Sequence, residues 1–229
     1  MLLISPPFGN WIGSKHARRV LGSFTWTRRR GLLLHTMRSL RPIPGGWINQ
    51  IGLRNPGLQS CKFNRRFIYS LVGLHDGDWE CMLHHCPPGL TIEVNLGCPN
   101  VHPYGIPPPI LRCYAESFTV IAKLSPTAEV DEVAAMCVEA GVQYLHLSNT
   151  IPTERGGISG RPLFDINLPI VERLADRYPG MIIAGGGIYN ASTLHRYRAA
   201  GATHYSLGTV WMTPWRVPGI IHSVADLAY

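Results

Sequence analysis

Residues 181–209 read MIIAGGGIYNASTLHRYRAAGATHYSLGT. A short apolar run, 181–184, meets Gly185-Gly186-Gly187. Asn190 is placed to cap a helix over 191–200, and Gly201 is placed to end it. A second short run, 203–207, then stops at Gly208-Thr209. Strand, glycine turn, helix and strand in that order make one β/α unit. Its two strands run parallel, because the helix carries the chain back.

The same order recurs upstream. Residues 91–96 (TIEVNL) lead into Gly-Cys-Pro, and residues 119–124 (TVIAKL) into Ser-Pro-Thr. The spacing then predicts a helix over 128–140, with Val130, Val133, Ala134 and Cys137 on one face and Gly141 as its stop. Residues 143–148 (QYLHLS) form the next run, and a helix over 167–178 carries Leu168, Val171, Leu174 and Ala175. Candidate strands at 67–72, near 20–25 and near 4–9 bring the number to eight. Eight β/α units predict one domain over 1–229, a closed (β/α)8 TIM barrel rather than an open sheet. Such a barrel usually takes about 250 residues. This one is therefore compact, with shortened loops in its first half. Helices are poorly marked over 26–90, and the segment between the third and fourth strands is too short for a full helix.

Gly13, Ser23, Cys98, Lys123, Asn149, Gly187 and Thr209 all fall just after strands. In a barrel those positions share the C-terminal rim, where active sites form. The glycines after the last two strands free backbone N–H groups near a helix start, a cradle for phosphate.

Composition narrows the class. Hydrophobic residues make up 45% and charged residues 15%, which argues against disorder. No run approaches the roughly 20 apolar residues of a membrane span, and the start MLLISPPFGN lacks the charged region of a secretory signal. A soluble cytoplasmic protein without a membrane partner is expected. The charge is lopsided: residues 1–75 hold twelve Lys or Arg and no Asp or Glu. That pattern suits an anionic ligand, a nucleic-acid face or simply a solvated basic surface. The six cysteines are scattered and form no CxxC. Cys81 and Cys86 bracket His84 and His85, but no second ligand pair completes a zinc site, so no metal is expected.

Residues 93–100, EVNLGCPN, are the most specific segment. The amides of Asn95 and Asn100 each offer a donor and an acceptor, suited to imide or carboxylate groups. Cys98, in a turn at the rim, is a candidate general base in its thiolate form. The alternative for a lone cysteine is an inert buried thiol. Its two flanking asparagines and its place at a strand end favour the base.

Asn-Leu-x-Cys-Pro-Asn resembles the strand-four motif of the dihydroorotate dehydrogenases. Other segments are similar to that family in order: Pro7–Gly13, Gly22–Thr25, Asn49–Gly57, Lys123–Pro126, Ser148–Thr150 and Gly156–Leu163. The resemblance implies an FMN-dependent oxidation of dihydroorotate to orotate in pyrimidine biosynthesis. Cys98 would take the C5 proton while hydride leaves to FMN. It implies that Asn49, Ile51, Gly52, Leu53, Asn95, Asn100, Asn149 and Thr150 hold the small-molecule substrate. FMN would meet Ile12, Gly13, Ser23, Asn95, Lys123, Gly157 and Gly160, with its phosphate on Gly186, Gly187, Gly208 and Thr209. The proline-rich segment 101–109 would act as a lid. Family members often pair as homodimers. The family also places a lysine at the end of strand one or two, where this chain has Trp11 and Gly22, and commonly a serine where this chain has Gly97. Lys15 and Arg28 are nearby substitutes.

Two other readings stay open. One is a related flavoenzyme acting on another cyclic amide, such as dihydrouridine in tRNA or a dihydropyrimidine. The loops Gly52–Gly57 and Gly156–Gly160 speak against its tRNA form, so nucleic acid is not the expected partner. The other is a catalytically silent barrel used for binding.

Overall fold

The structure is a computed structural model that describes residues 1–97, 105–127 and 129–226. In chain order its elements are β1 (Leu2–Ile4), β2 (Arg18–Phe24), α1 (Leu32–Ser39), β3 (Arg41–Ile43), β4 (Gly46–Asn49), β5 (Ile68–Leu71), α2 (Asp78–His85), β6 (Thr91–Asn95), α3 (Pro108–Ser117), β7 (Thr119–Leu124), α4 (Val130–Glu139), β8 (Tyr144–Leu147), β9 (Ile151–Thr153), β10 (Gly156–Gly160), α5 (Pro162–Ala175), β11 (Met181–Gly185), α6 (Ala191–Ala199), β12 (His204–Leu207) and α7 (Val217–Asp226).

Eight strands close a parallel barrel in the order β1-β12-β11-β8-β7-β6-β5-β2. The expected TIM barrel is therefore present. The unit 181–209 folds as read. The Asn190 side chain accepts from the Thr193 N–H at 2.9 Å, and the Thr193 hydroxyl closes the capping box.

Two kinds of core follow from strand alternation. Outward side chains such as Leu71, Ile92, Val94, Val120 and Leu145 pack beneath the helices. Inward, Leu3, Val20, Ile68, Ile121 and Ile183 meet from five strands and fill the lower interior. The upper interior is polar. Register pairs Glu93 with Ser70 and Ile121, and Lys123 with Asn95 and His146, so all of these point inside.

Several expected boundaries move. The first strand stops at Ile4 rather than near residue 9, because Pro6 and Pro7 have no N–H to extend a ladder. A 3-10 turn over Phe8–Asn10 takes the chain to β2. The β/α repeat is thus incomplete: no helix separates β1 from β2, and α1 packs on β4. The segment 74–90 does hold a helix, α2, of eight residues. The Asp78 carboxylate accepts from the N–H groups of Leu74 and His75 at its start. Buried Trp79 anchors it edge-on against Tyr114, whose hydroxyl donates to the Trp79 carbonyl. Helix α5 starts at Pro162, five residues before the predicted start, with proline at a first-turn position that needs no N–H.

The sequence reading contained no second sheet. Strands β3, β4, β10 and β9 form one, antiparallel, on the rim. It sets Asn49 opposite Gly157, joining two loops 108 residues apart in sequence.

Candidate active site

A cleft opens on the C-terminal rim. Its wall includes Asn49, Ile51, Gly52, Leu53, Ser23, Asn95, Lys123, Asn149, Thr150, Gly160, Gly186, Gly187, Gly208 and Thr209. Residues chosen from eight separate stretches of sequence thus converge. Three others do not line it. Ile12 is half-buried and Gly13 exposed, because the strand ends at Ile4; the cleft is lined there by Ser5–Phe8 and Asn10 instead. Gly157 faces Asn49 in the rim sheet. Cys98, Asn100 and residues 101–104 of the proposed lid lie outside the described residues.

The chain enters the Cys98 segment from a fixed point. The Gly97 carbonyl accepts from both Ser125 Oγ and Asn149 Nδ2, and the Leu96 N–H donates to the Lys123 carbonyl at 2.9 Å. A Cβ on Gly97 would stand 2.6 Å from Ser125 Oγ, so a serine at 97 requires the Ser125 side chain to shift. Asn95 Nδ2 donates to Ser23 Oγ at 3.0 Å, and Ser23 pairs with Ser70 at 2.8 Å. Asn95 Oδ1 in turn accepts from Asn149 Nδ2, while Asn149 Oδ1 accepts from the Thr150 N–H. Most of Asn149's hydrogen-bonding capacity is therefore used within the protein. Among the described residues, the Asn95 amide leaves one hydrogen and one lone pair unused.

The loop after β4 is held from behind. Asn55 Oδ1 accepts from the Gly57 N–H at 2.8 Å, and its Nδ2 donates to the Leu53 carbonyl and to Thr25 Oγ1. Arg29 Nε donates to the Gly52 carbonyl at 3.1 Å. Gly52 and Leu53 both take positive φ, 68° and 54°. A leucine in that conformation costs of order 1–3 kcal/mol, and such strain collects at ligand sites. The backbone N–H groups of Ile51, Gly52 and Leu53 have no acceptor among the described residues, which suits an anion.

On the opposite wall, Gly186, Gly187 and Gly208 likewise offer N–H groups without an acceptor among the described residues. Gly187 takes φ 74°, and a Cβ there would stand 2.8 Å from the Phe164 backbone nitrogen. A Cβ on Gly208 would meet nothing closer than 3.8 Å, so that glycine leaves open space. Ser148 Oγ lines the cleft, buried and without a partner among the described residues. These unfilled donors fit a phosphate and a polar ring system, the two chemical halves of a flavin mononucleotide.

Below Lys123 lies a network absent from the sequence reading. The Lys123 ammonium is 3.9 Å from Glu93 Oε1, and His146 Nδ1 is 2.8 Å from Glu93 Oε2. Glu93 and His146 have no exposed surface. Burial pushes the Glu93 carboxyl up, but Lys123 and His146 outweigh it and hold the group at about 2. Burial also lowers His146, against the pull of Glu93, so its ring is neutral with the proton on Nδ1, donating to the carboxylate. The available signal was the period of two: Thr91, Glu93, Asn95 and Tyr144, His146, Ser148 alternate with apolar residues.

With that geometry in view, similar proteins are informative. No family model matches the chain. The catalytic subunit of dihydroorotate dehydrogenase B (NAD+) from Geotalea uraniireducens (strain Rf4) is 30% identical over 203 residues, covering 72% of this chain and 67% of the relative. The chain belongs to the dihydroorotate dehydrogenase family. The corresponding subunit from Bacillus thuringiensis (strain Al Hakam) is 28% identical over 222 residues, covering 80% of this chain and 72% of the relative. A crystal structure of the Eimeria tenella dihydroorotate dehydrogenase in complex with ferulenol shares the fold. Its TM-score is 0.70 at 16% identity, over 99% of this chain and 80% of that one.

Within this dihydroorotate dehydrogenase-family barrel, position 22 can carry no side chain. Gly22 takes φ 114°, and a Cβ would lie 2.5 Å from the Ser70 carbonyl oxygen. Trp11 is 75% exposed and lies outside the cleft. Lys15 and Arg28 are exposed and do not line it either. The lining cations among the described residues are Lys123 and Arg54. Arg54 was missed by sequence reasoning, although it sits inside the matched segment Asn49–Gly57. Its Nη1 donates to the Arg30 carbonyl at 3.3 Å, and its buried Nε has no partner among the described residues.

Proposed function

We propose that the cleft holds FMN and that the chain oxidises dihydroorotate to orotate, a step of pyrimidine biosynthesis. The observation that carries this reading is the convergence on one cleft of two donor sets without acceptors among the described residues, one at Ile51–Leu53 and one at Gly186, Gly187 and Gly208, together with Lys123 and Asn95. FMN, when bound, supplies the hydride acceptor that no side chain provides.

The chain's own residues do the rest. Gly186, Gly187, Gly208 and Thr209 hold the phosphate, and Lys123 presents a fixed cation to the flavin's pyrimidine side. Ser23, Ser148 and Gly160 complete that wall. The N–H groups of Ile51, Gly52 and Leu53 take the substrate carboxylate, while Asn49, Asn95, Asn100 and Thr150 orient its ring. Asn149 acts mainly by setting the Asn95 amide and the Gly97 carbonyl. Cys98, one residue beyond Gly97, removes the C5 proton as a thiolate. The segment following it excludes water. The sequenced relatives are named as catalytic subunits of an NAD+-dependent enzyme, so electrons leave this chain for nicotinamide through a companion subunit. No helix among the described residues is long and apolar enough to cross a membrane.

The experiment is orotate formation by the FMN-loaded protein with an artificial dye as acceptor, in wild type and Cys98→Ser. The wild type is expected to form orotate. The serine variant loses about a hundredfold or more near neutral pH and recovers part of its rate at high pH, because a hydroxyl is a far weaker base. Wild-type protein that carries FMN but forms no orotate contradicts the proposal.

A further inference from the structure

Lys123 ends the interior row of β7 at the cleft floor, and its nearest charged partner is not in the cleft but beneath it. Glu93 is fully buried inside the barrel, above the apolar floor of Ile68, Ile121 and Ile183. One carboxylate oxygen is fixed by His146 at 2.8 Å, the other faces Lys123 at 3.9 Å, and the Ser70 hydroxyl on the neighbouring strand adds to the stabilisation of the carboxylate. An ion pair in a barrel interior is poor value for stability alone, since apolar side chains of similar volume serve as well or better. The 3.9 Å separation is longer than a direct charge-assisted hydrogen bond of about 2.7–2.9 Å. The carboxylate therefore tethers the ammonium electrostatically and leaves its donors for the cleft.

We propose that Glu93, oriented by His146, is a positioning residue for Lys123: it holds the ammonium at the cleft floor and partly offsets its charge, and so sets the reduction potential of the flavin bound above it. This rests on the reading that FMN occupies the cleft. A flavin gains negative charge on reduction, and a cation beneath it favours the reduced form. A carboxylate behind that cation subtracts from the effect. His146 supplies no charge; it fixes the direction in which Glu93 points.

The test reconstitutes wild type, Glu93→Gln and Lys123→Met with FMN, reads FMN uptake by absorbance, and then measures the midpoint potential by dye equilibration. Glu93→Gln is expected to favour the reduced over the oxidised form by about tenfold, a rise of about 30 mV for a two-electron couple. Lys123→Met should move it the opposite way. A role confined to packing would lower stability or FMN occupancy and leave the potential where it was. An unchanged potential in FMN-loaded Glu93→Gln overturns the inference while the flavin reading stands. Wild-type protein that takes up no FMN overturns both. Should Glu93→Gln fail to fold with its buried cation unpaired, Glu93→Asp keeps the charge and withdraws it by one methylene. A smaller rise is then expected, and no change overturns the inference.

Discussion

Asn149 Nδ2 donates to Asn95 Oδ1 at 2.9 Å, and both side chains are buried. Through this bond the segment after β8 is tied to the end of β6, and through Ser23 and Ser70 to β2 and β5. Four barrel strands thus share one polar chain directly under the cleft. Asn149→Ala strands Asn95 Oδ1 and removes one donor from the Gly97 carbonyl. A loss of about 1–3 kcal/mol is expected. Urea midpoints of the two proteins check it, and orotate binding should weaken in parallel. Unchanged stability would mean the chain is not fixed as described.

Gly22, which lines the cleft, is required by its backbone conformation. At φ 114° with the Ser70 carbonyl oxygen 2.5 Å from its missing Cβ, alanine there must displace β2 from β5. Gly22→Ala should destabilise by about 2 kcal/mol or more, seen as a lower denaturant midpoint. By the same geometry Gly22→Lys does not improve turnover, because its side chain has no room to enter.

Arg54 is expected to select for a carboxylate. It follows the N–H groups of Ile51–Leu53, which have no acceptor among the described residues, and lines the same cleft. Removing one charge-assisted contact costs about 1.5–3 kcal/mol, which is roughly ten- to a hundredfold in Kd. Calorimetric titration of Arg54→Ala should show that loss for orotate and almost none for uracil, which lacks the carboxylate. Equal losses for both ligands would assign Arg54 to loop structure instead.

Acid should weaken this fold over two pH windows. His204 is brought down from 6.5 to about 4, by burial and then by the N-terminal amine, and His146 is lowered by burial. Glu93 is held at about 2 against an ordinary 4.5. Each group binds its proton less readily folded than unfolded, so its contribution is complete above the unfolded value and is lost as pH falls. Stability should decline from about pH 6.5 through the histidines, and again below about 4.5 through Glu93. Urea midpoints measured from pH 7.5 down to 3.5 check this; a flat profile contradicts the burial of His146 and Glu93.

Legibility of the fold in the sequence followed periodicity. Strands β6 to β12 of the barrel stood out because apolar runs alternate with segments of helical period, and Asn190 and Gly201 marked α6 within a residue. The first half was harder. Two prolines cut β1 short, so the rim turn lies at Ser5–Phe8 and Ile12 and Gly13 fall outside the cleft. Strands β3, β4, β9 and β10 have three to five residues and owe their pairing to each other, a long-range relation no local pattern carries. Within the site, motif residues such as Asn95 and Lys123 were legible by their place after strands. Glu93 and His146 were passed over because an inward polar residue looks, in sequence, like the solvent face of a half-buried strand.

The most direct measurement is the visible spectrum of the purified, FMN-loaded protein before and after anaerobic addition of dihydroorotate. A flavin spectrum that bleaches on addition and returns with an oxidant is expected. A flavin-loaded protein that keeps its colour in the presence of dihydroorotate would contradict the proposed reaction, and a protein that cannot be loaded with FMN would contradict the proposed cofactor site itself.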